Sequence, residues 1–169
     1  MKLTSEIFCI DTNVLIEAWQ RYYSPEICLD YWKILNEIGA QGRIFISEVV
    51  FDEIKKSEDD LFKWLKDSNI SVKKIDESVS KCLQDIYSKN EIHKYLVDNT
   101  KLRSLADPWI IAHAINERAT VVTKEEKVTA LNSRRIKIPN VCDNMGIRCI
   151  NDFQLIRELN IKFSCEIKG

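Results

Sequence analysis

Three short runs, "IFCI" (Ile7–Ile10), "RIFIS" (Arg43–Ser47) and "ATVVT" (Ala119–Thr123), are apolar through their middles, without the alternation of a half-wetted strand. Such runs belong to strands covered on both faces, and helical patterns lie between them. "GIRCI" (Gly146–Ile150) is a fourth candidate. In "SPEICLDYWKILNEIGAQG" Ser24 is placed as N-cap and Pro25 as first helical residue, with the helix closing near Gly39 or Gly42. "SEVVFDEIKK" and "DDLFKWLK" follow the second strand, and "DESVSKCLQDIYSKN" and "DPWIIAHAINER" precede the third. Alternating strands and helices predict an α/β chain with a mostly parallel sheet between helical layers. In such sheets ligands bind beyond the carboxyl ends of the strands.

Length and composition narrow the function classes. At 169 residues the chain fits one domain, 1–169, with 45% apolar and 30% charged residues. A net charge of −1 gives no general basic field for coating nucleic acid, although a metal site can still counter phosphate charge locally. No apolar run reaches the roughly 18 residues of a membrane span, and no signal peptide is read at the start. The six cysteines, Cys9, Cys28, Cys82, Cys142, Cys149 and Cys165, form no C-x-x-C pair. They are expected to be reduced, mostly buried thiols of a cytoplasmic protein.

With 26 acidic residues, only acids in unexpected places are informative. Asp11 ends the first strand, where Thr12 and Asn13 could cap the next helix and leave Asp11 for a metal. Projected at about 100° per residue, "SEVVFDEIKK" puts Val49, Val50, Phe51 and Ile54 on one side and Glu48 and Asp52 on the other. Glu53 alone of the charges falls on the apolar side, between Val49 and Val50. Asp107 lies within the apolar stripe of its helix, where it is also expected as N-cap before Pro108. Glu125 or Glu126 follows "ATVVT" just past a strand's carboxyl end. Four such carboxylates would repel one another unless a cation joined them, and oxygen-only ligands select Mg²⁺ or Mn²⁺.

The ordered set "IDTNVLI", "SEVVFDEI", "ADPWIIAHA" and "VVTKEEK" resembles the PIN-domain family of VapC-like metal-dependent ribonucleases. The first motif together with "KIPNVCDNMGIRCIN" looks like a little-characterised prokaryotic subgroup found in toxin–antitoxin-like settings. The resemblance implies a three-layer α/β/α fold and an acidic pocket for one or two Mg²⁺ or Mn²⁺ ions. By it, Asp11, Glu53 and Asp107 match the first three family acids. Glu125 stands where the family has Asp, a departure that leaves Glu126 as a substitute. Thr12, Asn13 and Thr123 match positions that orient carboxylates or water.

The expected activity is metal-dependent hydrolysis of RNA, in a chain paired with an antitoxin and able to form a homodimer. Lys124, Lys127, Arg134 and Arg135 are expected to touch RNA, with Lys137, Lys101 and Arg103 nearby, and Trp19, Tyr22, Tyr23 and Trp109 could stack on bases. Trp19 is read as core. His93 and His113, the only histidines, are read as non-catalytic. Three alternatives remain: a silent RNA- or protein-binding module, a haloacid-dehalogenase-like phosphatase, and metal-dependent cleavage of DNA by the same site. The second lacks its required Asp two residues after Asp11, where Asn13 stands.

Overall fold

The computed structural model describes residues 6–97, 105–130 and 134–168. Five parallel strands form one sheet in the order β3-β2-β1-β4-β5, with β1 Phe8–Ile10, β2 Ile44–Ser47, β3 Ser71–Lys73, β4 Thr120–Val122 and β5 Cys149–Ile150. The chain builds outward from β1 through β2 to β3, then returns to the other side of β1 for β4 and β5. The strand order therefore reverses between β1 and β4. Every residue of β1, β2 and β4 is buried, as their unbroken apolar character requires.

Helices cover both faces, giving the three-layer α/β/α arrangement. One layer holds α5 (Glu77–Lys89), α6 (Asp107–Glu117) and α7 (Ile138–Met145), which pack on one another, with α6 lying on β1 and β2. The other holds α1 (Thr12–Glu17), α2 (Pro25–Ala40), α3 (Glu48–Lys55) and α4 (Asp60–Asp67). Phe45 of β2 meets His113 of α6, so by strand alternation Ile44 and Ile46 face the α2 layer. A last helix, α8 (Asp152–Glu158), follows β5.

Between α1 and α2 the chain makes a π-helical turn, Ala18–Tyr22, closed by the Tyr23 amide donating to the Ala18 carbonyl at 2.8 Å. The turn separates two aromatic groups. Trp19 packs 4.7 Å from Trp32, which in turn lies 4.7 Å from Trp64, as core. Tyr22 meets Phe153 of α8 instead, and Tyr23 stacks on Tyr31. The expected helix start at Ser24 and Pro25 is present, without a side-chain cap bond, and Gly42 follows its end with φ +70°.

Several expectations need correction. Strand β3 was not foreseen: its edge position leaves Ser71 and Val72 exposed, so it lacks the apolar signature of the inner strands. Helix α7 was likewise unread, because its eight residues begin with Ile-Pro and end at Gly146, too short for a periodic signal. Only Cys9 and Cys142 of the six free thiols are buried; Cys165 is exposed. Lys101 and Arg103 lie outside the described residues. Among those described, no helix is long and apolar enough to cross a membrane.

Gly39 marks a close approach between α2 and the chain entering β3. A Cβ there would stand 2.9 Å from the Ile70 nitrogen and 3.0 Å from the Asn69 carbonyl carbon. Both are backbone atoms that cannot swing aside. Gly39→Ala is expected to cost about 1–3 kcal/mol, read as a melting point lowered by several degrees.

Candidate metal centre at the switch point of the sheet

The β1–β4 pairing sets Ile10 opposite Val122, so the residues that leave these strands, Asp11 and Thr123, emerge side by side. Asp11 donates its amide to the Val122 carbonyl at 2.9 Å and accepts the Thr123 hydroxyl on Oδ2 at 2.6 Å. Reversal of strand order at this point opens a crevice beyond the carboxyl edge. Asp11 is only 3% exposed. Burial pushes its carboxyl up to about 7; the Thr123 bond pulls it back, and the charges of Glu125 and Glu53 raise it again.

Asp11 occupies the N-cap position of α1, yet its side chain makes no capping bond. Thr12 and Asn13, expected to cap, do not. Their side chains are spent on tertiary bonds, Thr12 donating to Glu53 Oε2 at 2.6 Å and Asn13 donating to the Thr123 hydroxyl at 3.4 Å. The Lys124 amide donates to Asn13 Oδ1 at 3.0 Å. The segments after β1 and β4 are thus laced together by Thr123 and Asn13.

The expectation that Glu53 lies on a buried face is overturned: it is exposed. Helix α3 is short and starts at the sheet's carboxyl edge, so the face carrying Glu53 opens on the crevice rather than the core, where Thr12 reaches it. Glu48, on the opposite side, accepts the Ile75 amide at 2.6 Å. Asp107 is the first helical residue of α6, not its cap, which is Ala106. Because only two residues separate the end of α6 from β4, α6 runs back along the sheet and starts at the carboxyl edge, with half-buried Asp107 at that end. Glu125 is engaged on both oxygens, by Lys137 Nζ at 3.0 Å and by the Ile138 amide opening α7 at 2.9 Å. Glu126 is exposed.

Much of the basic cluster is already paired. Lys124 holds Asp152 at 2.8 Å with its ammonium over the Tyr22 and Phe153 rings, and Lys127 holds Asp143. Arg134 lies over the Tyr95 ring, and Arg135 is engaged as well. Asp152, 2% exposed and with Oδ1 unpartnered, is an acid that the sequence reading missed. Its signal was present: it stands past "GIRCI" with one residue between, beyond the carboxyl end of a strand as Asp11 is beyond "IFCI". His113 is buried with both ring nitrogens unpartnered, and burial lowers its pKa. Burial also drives the Cys9 thiol away from ionisation. Neither is equipped for nucleophilic chemistry.

The donor chemistry around Asp11 fits a hard cation: oxygen ligands only, one of them a buried carboxylate whose charge is disfavoured until a cation arrives. Among the described residues no three acidic, histidine or cysteine side chains form a closed ligand set. Mg²⁺ does not demand one, since it commonly binds through one or two carboxylates and keeps several waters.

The raised pKa of Asp11 has a definite sign for stability. The native state holds a proton that the unfolded chain has released, so this contribution is complete below about pH 4 and lost as pH rises through about 7. Asp11→Asn is therefore expected to stabilise the metal-free protein at pH 8 by up to about 4 kcal/mol, with little effect near pH 4. Thermal melts of both forms at the two pH values check this.

The family model described as "Domain of unknown function (DUF4411)" matches residues 8–163. Among curated proteins none matches. Two solved structures share the architecture. One is VapBC2 from Rickettsia felis bound to a DNA fragment from their promoter, with TM-score 0.55 and 20% identity over 86% of this chain and 98% of that one. The other is FitAcB from Neisseria gonorrhoeae, with TM-score 0.55 and 18% identity over 87% and 99%. These likenesses carry the PIN-like fold, and the chain belongs to the family described as a domain of unknown function, DUF4411.

Proposed function

We propose that the chain is an Mg²⁺- or Mn²⁺-dependent ribonuclease and the toxin of a toxin–antitoxin pair. The observation that carries this reading is the buried Asp11 carboxylate at the reversal of strand order, with Glu53 and Glu125 close enough to raise its pKa. The likeness to VapBC2 and FitAcB supports the setting.

Asp11 and Asp107 would hold the ion, with Glu53 and Glu125 contributing charge around it. When bound, the ion supplies a water of lowered pKa and neutralises the scissile phosphate. The protein's own part is orientation and proton transfer. Thr123 fixes Asp11 through Oδ2, and Thr12 fixes Glu53 through Oε2, leaving Oε1 of Glu53 to take the proton of the attacking water. Lys137, seated against Glu125, is placed to move from that carboxylate to the incoming phosphate.

One observation favours a second reading. Both oxygens of Glu125 are committed to α7 and Lys137, as they would be in a silent module that binds RNA without cutting it.

Incubating a labelled RNA pool, and a single-stranded DNA control, with Mn²⁺, Mg²⁺ or EDTA separates these. Cleavage of RNA with metal, abolished by EDTA and reduced at least about 100-fold by Asp11→Asn or Asp107→Asn, is expected. Cleavage that survives both substitutions sinks the assignment, and RNA bound but never cut establishes the silent module. Induced expression should arrest growth in the native form and not in Asp11→Asn; growth unaffected by soluble native protein removes the toxin role.

A further inference from the structure

A cavity of about 460 Å³ lies along α7, within the roughly 300–1,000 Å³ range of ligand pockets. Its walls come from the 3₁₀ turn Glu91–Leu96, from the chain after Glu126, and from α7. The frame is held by polar bonds. The Asn140 side chain accepts the Val128 amide at 3.1 Å and donates to the Val128 carbonyl at 2.9 Å. Asn144 Nδ2 lies 2.9 Å from His93 Nε2, and His93 Nδ1 donates to the Ile86 carbonyl at 2.6 Å, so the ring is held at both nitrogens.

The contents of the cavity wall favour a planar, anionic guest. Tyr95 presents a half-buried ring with the Arg134 guanidinium 5.4 Å from its centroid and Lys94 at 5.3 Å. Among the described residues Arg134 has no carboxylate partner, unlike Lys124, Lys127 and Lys137. Of the charged residues lining the cavity, Lys127 pairs with Asp143 and Arg134 is left over, a local positive excess in a chain of net charge −1. Aromatic platforms flanked by cations are how single-stranded nucleic acid is held, because any base has a face to stack.

The cavity is also in register with the acidic site. Within the first turn of α7, the Ile138 amide holds Glu125 while Asn140, two residues on, forms cavity wall. Glu125 and the cavity are thus joined through one turn of helix.

We propose that this cavity receives an unpaired base of the RNA strand next to the scissile phosphate, held against Tyr95 with the Arg134 guanidinium moved aside onto the strand's phosphate, and so selects where the strand is cut. The inference rests on the nuclease reading. A base can enter only if it is unpaired, so single-stranded segments and loops are the substrate class.

The test is binding of a fluorescein-labelled single-stranded RNA to the full chain in EDTA, with mapping of cut sites in Mn²⁺. Tyr95→Ala and Arg134→Gln are each expected to weaken binding roughly 5- to 100-fold and to erase base preference beside the cut, while the metal requirement is unchanged. Ala130→Trp fills the cavity without removing the Tyr95 ring and should act alike, covering the case in which Tyr95→Ala fails to fold. Asp11→Asn should stop cleavage and leave this binding in place. Native-like binding and cut sites in Arg134→Gln and Ala130→Trp overturn the inference, as does equal affinity for an abasic strand. If Asp11→Asn still stops cleavage in that case, the nuclease reading stands. Cavity-dependent binding with no cleavage under any metal keeps the base site and removes the nuclease.

Discussion

The parallel pairing of β1 with β4 is the contact on which the carboxyl edge depends. Its register sets Asp11 beside Thr123, and one 2.6 Å bond between them orients a carboxylate that burial would otherwise leave without a polar partner on that oxygen. From this pair the site spreads in both directions along the sheet. Toward β2 it runs through Thr12 to Glu53, and beyond β4 through Lys124 to Asp152. Strand order reverses at the same place, so the crevice and the buried charge have one topological cause.

Helix α7 gives the second half of the edge its form. Its opening amide and Lys137 seat Glu125, while Asn140 ties down Val128. A glutamate replaces the aspartate implied by the family resemblance, and its extra methylene lets the carboxylate reach the helix. The site's charge is therefore tempered before any cation arrives. Glu125 raises the pKa of Asp11 while Lys137 neutralises part of Glu125.

What the sequence made legible follows from where each signal resides. Inner strands announce themselves because both faces are buried, and β1, β2 and β4 were read from composition alone; β3, half open to solvent at the edge, carried no such mark. Asp11 drew attention because a carboxylate after an apolar strand is conspicuous, and its burial is as expected. Glu53 was singled out for a burial it does not have: the helical wheel gives a direction but not what lies in that direction, and a crevice resembles a core on the projection. Asp107 was read one position off its helical boundary. The pairing of Lys124 with Asp152 and of Lys137 with Glu125 joins segments 28 and 12 residues apart, which no local pattern encodes.

The π-helical turn at Ala18–Tyr22 amounts to one residue of surplus chain held inside a helix. That surplus works as a phase shift between two aromatic groups. Near its start, Trp19 keeps step with the tryptophan cluster of the core; at its end, Tyr22 is turned out to the Lys124–Asp152 pair and Phe153. An ordinary α-helical count would change the angle between the two rings and turn Tyr22 away from the Lys124 ammonium. The core and the carboxyl edge thus tolerate different helical phases because a single residue absorbs the mismatch, and insertions or deletions in this short stretch would be felt at the site before they were felt in the packing.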